Sequence, residues 1–271
     1  LAGRSDPPDL GRGRLMPVVE RWLKSAALEV QEYIRLTVAT FRCVFTPPIY
    51  RHDIVEQFDV IGVGSLTVVL LTGFFTGAAL ASQSGLTLDQ FGARPIVGRL
   101  VSASMIKELG PVLTALMLTG RIGSGIAAEL GSMIVTDQIN ALRALGTDPV
   151  RKLVVPRVLA GFLMAPVLTV IADFMGIFGG WIVARFQLQV ASGLYWSSVT
   201  EGLFMQDVWM GLIKPFVLGL VIVTIACHVG LRTSGGTQGV GKATTVAVVA
   251  GSVAVIAVDF FVTQVLIALM Y

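Results

Sequence analysis

Charged residues are scarce in this chain. Asp, Glu, Lys and Arg together make up 14% of it, where a soluble domain carries about 25%. So little charge cannot solvate the surface of a large globular fold, and the soluble classes are excluded first. Cysteine is scarcer still: Cys43 and Cys227 are too few for a disulfide framework. A bridge between them is not expected, because both fall on the predicted cytoplasmic side. The histidines, His52 and His228, are isolated from each other, and no cluster of Cys and His offers a metal site. No Ser/His/Asp arrangement is visible; Asp173 with His228 is conceivable but has no supporting spacing. No catalytic residue is assigned. A net charge of +3 on so little polar surface does not point to nucleic acid.

What the chain has instead is apolar length. Apolar residues are 54% of it and the mean hydropathy is +0.80. About 20 helical residues cross a bilayer core, and five stretches reach that length: 58–80, 105–130, 154–182, 208–229 and 245–270. The fold class expected is all-α, a polytopic membrane bundle. Residues 1–14 are polar, with Pro, Gly and Arg and no apolar core, and read as a disordered tail rather than a signal peptide. Residues 15–57 form an arm whose helix, 15–41, has one apolar face and a face bearing Glu29, Glu32 and Arg35. That helix is too charged to span and suits the membrane surface. Residues 58–271 are the membrane domain; 81–104, 185–207 and 231–244 read as connections. The Gly73–Gly77 pair in the first span is a GxxxG pattern that permits close helix contact.

Lys and Arg set the orientation. The tail and arm together hold eight of them, the connection after the second span with its flanks four, and the last connection two. The opposite connections hold only Arg94, Arg99 and Arg185. The N-terminus is therefore expected in the cytoplasm and the C-terminus on the outer side.

The stretch 105–160 organises the rest. A Gly-rich helix leaves its apolar pattern at Thr136-Asp137-Gln138, and Ile139, Leu142 and Leu145 then recur at helical spacing. Gly146 is placed to end this short helix, and Asp148-Pro149 reads as N-cap and first position of the next. A charged elbow at about 136–150, lying between two spans, can act as a lever. Asp137, Gln138, Ile139, Leu142, Arg143, Leu145 and Asp148 are its candidate coupling residues.

Charges inside spans are costly and suggest function or pairing. Lys107 and Glu108 sit near the outer end of the second span, as an ion pair or as the polar rim of a lipid cavity. Arg121, Glu129, Asp173 and Asp259 lie deeper. Arg121 and Glu129 suit structural pairing with other spans; Asp259 could cap backbone, bond Arg121 or face a cavity. The run from Gly236 to Lys242-Ala243 nearly satisfies the phosphate-loop pattern, but it has Ala where Ser or Thr is required and links two spans rather than a strand and a helix. ATP would then belong to a partner.

The run ELGPVLTALMLTGRIGSGIAAELGSM, continued by TDQINALRALGTDPVRKLVVPRVLA, resembles the MlaE-type permeases of ABC lipid transporters that work with MCE proteins. The resemblance implies a homodimer in the inner membrane that moves phospholipid and does no covalent chemistry. It implies a cytoplasmic ABC ATPase on the elbow, an MCE protein on the outer face and a small STAS-like regulatory subunit. It also implies a lipid pocket with Glu108, and with Leu80, Leu88 and Phe91 as acyl-chain contacts. The competing class is a secondary carrier or channel using Asp173 and Asp259; the elbow and the absence of a convincing internal repeat stand against it.

Overall fold

The computed structural model describes residues 12–44, 46 and 50–270, and side chains from residue 28 onward outside the two gaps. The tail expected over 1–14 lies mostly outside the described residues. Described residues form helices and no strand. Helix α1 (Arg12–Val44) is the arm and α2 (Arg51–Ile61) leads to a corner at Gly62–Ser65. Next come α3 (Leu66–Gln90), α4 (Val97–Ser104), α5 (Gly110–Leu118), α6 (Ser124–Val135), α7 (Gln138–Ala144), α8 (Val155–Phe186), α9 (Ser192–Gly202), α10 (Met205–Leu231) and α11 (Gly236–Met270). Five continuous helical stretches are long and apolar enough to span: Arg51–Gln90, Arg94–Val135, Val150–Phe186, Met205–Leu231 and Gly236–Met270.

Each stretch runs past its apolar pattern, which corrects three expected connections. The first turn of chain shrinks to residues around Gly92, because α3 continues to Gln90 and α4 already begins the second span. The connection 185–207 contains α9. Tyr195 on α9 is fully buried, and its hydroxyl donates to the Ile177 carbonyl at 2.9 Å. The last connection is only Arg232–Gly235, since the Gly-rich run folds as the opening of α11. A helix can outlast its apolar stripe wherever water or protein, rather than lipid, meets the polar end.

Three wide π-turns interrupt the spans, at Met105–Leu109, Thr119–Gly123 and Val150–Val154. Two of them stand just before Pro111 and Pro156. Proline has no N–H to give the carbonyl four residues back, so the ladder widens there. Gly73 and Gly77 of α3 lie directly on α8. A Cβ on Gly77 would come within 1.8 Å of the Gly176 carbonyl oxygen, so only glycine permits this approach. The GxxxG pattern is therefore a real contact, answered by Ala172 and Gly176 at the same spacing.

The arm packs along α10. Tyr33 and Thr224 share a hydroxyl hydrogen bond at 2.8 Å, and Glu32 meets Arg232 at 3.2 Å. Leu28, Ile34, Val38 and Phe41 remain exposed on its other side. The side chains before residue 28 on which the apolar face was also read lie outside the described residues.

Candidate functional site: a buried charge cluster and an elbow

The π-turn before Pro111 carries Lys107 and Glu108 at successive positions, and they do not pair with each other. Lys107 Nζ reaches Asp207 Oδ1 of α10 at 2.7 Å. Glu108 Oε2 meets Lys214 Nζ, also on α10, at 2.7 Å. Lys214 is fully buried. Its ammonium also donates to the Lys107 carbonyl at 2.8 Å and stands 3.5 Å from Asp259 Oδ1 on α11. That carbonyl is available because its helical partner would be the nitrogen of Pro111. Proline thus creates the acceptor that helps seat a buried lysine. Three spans converge here with two cations and three carboxylates. Asp207 is 1% exposed, whereas the Glu108 side chain is 45% exposed, so the cluster shows one open carboxylate.

The remaining intramembrane charges are separate from it. Arg121 donates to Ser65 Oγ at 2.7 Å and to the Val60 carbonyl at 3.3 Å, which staples the corner between α2 and α3. It does not bond Asp259. Glu129 meets Arg157 of α8 at 2.6 Å, and Arg157, almost fully buried, also donates to the Leu153 carbonyl. Asp173 is buried over Gly110 beside a cavity of about 230 Å³ lined by Ile106, Phe174 and Leu212. His228 instead stacks edge-on against Tyr33, so the conceivable Asp173–His228 pair is not formed. Leu80 and Leu88 are half-buried against the cluster of Val97, Val101 and Tyr195, which Ile106 and Leu109 also flank. Phe91 is 78% exposed at the end of α3.

At the other end of the bundle, α7 is the elbow. Asp137 takes a left-handed conformation, φ 57°, and accepts from Asn140 Nδ2 at 2.9 Å. Gly146, φ 75°, closes the helix: its N–H goes to Arg143 and that of Thr147 to Leu142, both at 3.0 Å. This is a Schellman ending, which needs the left-handed residue glycine supplies. Asp148 Oδ1 accepts from Val150 N at 3.0 Å and caps the next helix. The apolar stripe splits. Ile139 is buried under the spans and Leu142 packs half-buried against the same core, while Leu145 is 80% exposed. Ile139 is thus the part of the stripe that packs under the spans, while Asp137, Gln138, Arg143 and Leu145 form the open face. The exit of the elbow is tied to the arm and α2: Lys152 meets Asp53 at 2.5 Å and lies over the Tyr50 ring, and Arg151 donates to Thr46.

The Permease MlaE family profile matches residues 54–265. The chain belongs to the MlaE permease family. Over 238 residues it is 40% identical to a probable ABC transporter permease protein of Rickettsia conorii, covering 88% of this chain and 92% of that one. A probable ABC transporter permease protein of Synechocystis is 38% identical over 226 residues, covering 83% and 86%. The intermembrane phospholipid transport system permease protein MlaE of Haemophilus influenzae is 36% identical over 223 residues, covering 81% and 85%. This MlaE-family permease is thus a multi-pass membrane subunit of the ABC transporter class. Three of its buried charged residues escaped the sequence reading. Asp207 sat in an expected connection, Arg157 counted toward the elbow, and Lys214 sat at a span edge. The available signal was the cost of burying each charge among apolar neighbours.

Proposed function

We propose that this permease moves phospholipid between the inner membrane and an MCE protein on the outer face. It works as one half of a homodimer, driven by a separate cytoplasmic ATPase. The observation that carries this reading is the five-residue charge cluster Lys107, Glu108, Asp207, Lys214 and Asp259 inside apolar spans. One buried cation, one half-buried cation and three carboxylates match a headgroup that carries a phosphate and a polar or amine substituent. The half-open Glu108 is the contact facing the lipid, and Lys214, held by three partners, is the positioning residue that fixes it. The Haemophilus relative's name, intermembrane phospholipid transport, supports the same substrate class here.

The chain itself does no covalent chemistry; ATP is bound and hydrolysed on the partner. The ATPase seats on the open elbow face, Asp137, Gln138, Arg143 and Leu145. Its closure pushes α7, and the ties from Lys152 to Asp53 and from Arg151 to Thr46 carry the push into α2 and the arm. The core anchorage of Ile139 and Leu142 makes the push act on the spans. The N-terminus is cytoplasmic, the C-terminus is outside, the arm lies on the inner leaflet, and a small STAS-like subunit regulates the ATPase. The test is Glu108→Arg in the reconstituted transporter, with a photo-crosslinker at position 109. Lipid adduct and transport should both fall while the dimer stays intact. Unchanged adduct and transport would remove Glu108 from the lipid path.

A further inference from the structure

The Gly-rich run that resembles a phosphate loop serves neither the charge cluster nor the elbow. It folds as the opening of α11, and Gly239 and Lys242 stand in the wall of a cavity of about 290 Å³. The cavity lies at the elbow end, where Thr233 packs on Gly131 and Gly230 on Leu130. Along α10, His228 in its wall is roughly 20 Å from Lys214, at 1.5 Å per residue. This is therefore a different site, and it does not depend on the lipid path proposed above.

Its walls carry opposite charges. The basic wall is Arg232 and Lys242, with Gly239 from the opening of α11 beside them. Thr233 also stands in the wall, 7% exposed, with its hydroxyl against Gly131 of α6. The acidic wall comes from the arm: Glu29 lines the cavity, and Glu32 holds the Arg232 guanidinium at 3.2 Å. Ala243 and Val246 give an apolar side, and Val246 is shared with an apolar groove that runs along α11 past Val249 and Val253.

Each feature narrows the ligand. Two cations suit a phosphate. Ala243 removes the hydroxyl that a nucleotide's metal ion would need. A carboxylate across the cavity repels a second negative charge and attracts an amine. The apolar groove suits a hydrocarbon chain. The geometry points to a site for the phosphoethanolamine headgroup of a zwitterionic glycerophospholipid. Its phosphate lies on Arg232 and Lys242, its amine on Glu29, and one acyl chain in the α11 groove. The bound lipid bridges the arm to the α10–α11 turn.

The test uses the full chain in its complex, with p-benzoylphenylalanine at position 246. One sample is in vesicles of phosphatidylethanolamine and phosphatidylglycerol, another in phosphatidylglycerol alone. After illumination, the peptide containing position 246 should carry a phosphatidylethanolamine adduct in preference to phosphatidylglycerol. Arg232→Gln with Lys242→Gln should cut that adduct about tenfold, the loss of a charge-assisted contact. Lys242→Gln alone should cut it in part, and Lys242→Arg should keep it. Glu29→Gln should erase the preference for phosphatidylethanolamine. Size-exclusion profiles matching wild type confirm that the variants fold. Inorganic phosphate and free O-phosphoethanolamine should leave the adduct intact; suppression by either makes the ligand a soluble anion and overturns the lipid assignment. An adduct indifferent to the single and double substitutions, equal labelling by the two lipids, or a photoproduct joining two copies of the chain overturns it as well.

Discussion

Lys214 and Arg143 are both cations on helices of the same bundle, and the two ends of the molecule treat them in opposite ways. Lys214 is fully buried and answered by Glu108, Asp259 and the Lys107 carbonyl. Arg143 is exposed on the elbow, and the residue buried beside it is apolar Ile139. Removing one member of a buried charged set leaves its partners uncompensated at a cost of several kcal/mol, whereas an exposed charge contributes little to folding. The first end therefore couples its charge to the integrity of the fold. The second leaves its charge in the open, with the fold resting on Ile139 and Leu142.

The sharpest way to break this contrast is Lys214→Met. Stranding Glu108 and Asp259 should destabilise the permease by about 3–5 kcal/mol, read from denaturation in detergent, and adding Asp259→Asn should recover part of it. An undiminished stability would mean that the cluster is solvated and that the two ends do not differ. Ile139→Ala comes next, at about 2–4 kcal/mol for an aliphatic core truncation, measured by the same unfolding curve. Leu142→Asp belongs with it, because Leu142 packs against the core: its loss of ATPase would report damage to the permease as well as to docking. Leu145→Ala with Arg143→Glu is the cleaner docking test. Stability should move by no more than about 0.5 kcal/mol, while ATPase retention on pull-down and transport both fall. Full ATPase retention would take the elbow out of the coupling path. The smallest effect is expected for Glu32→Gln, which removes an exposed ion pair worth about 0.2–1 kcal/mol, checked by its disappearance in high salt.

Much of this layout was legible in the sequence because it is local. Span number follows from apolar length, and the elbow from the loss of that pattern at Thr136. Gly146 and Asp148 did what their positions in the sequence suggested, since a helix ending or cap involves residues only a few places away. The charge cluster was not legible, because its partners are far apart in the chain: Lys214 meets Glu108 and Asp259 only after three helices pack. Asp207 looked like connection because composition cannot show that a polar residue at a helix start is buried. The π-turns left a faint trace in Pro111 and Pro156, but proline alone does not say whether a helix kinks, widens or stops. The Gly-rich opening of α11 read as loop because glycine is a poor helix former, yet the structure continues the helix through it.

The meeting of α3 and α8 has a mechanical consequence. Where Gly77 lies on Gly176, backbone touches backbone with no side chain between. Relative motion of packed helices is ordinarily absorbed by rotamer changes in the side chains separating them, and here no such cushion exists. Sliding one helix by a fraction of a residue would drive Cα atoms into carbonyls. The two spans therefore form a single stiff beam along this seam. α11, by contrast, buries one line of residues, Ala243, Ala247, Gly251, Val255, Asp259 and Leu266, and leaves much of its surface outside the bundle. A displacement that reaches either span along this seam therefore moves both together.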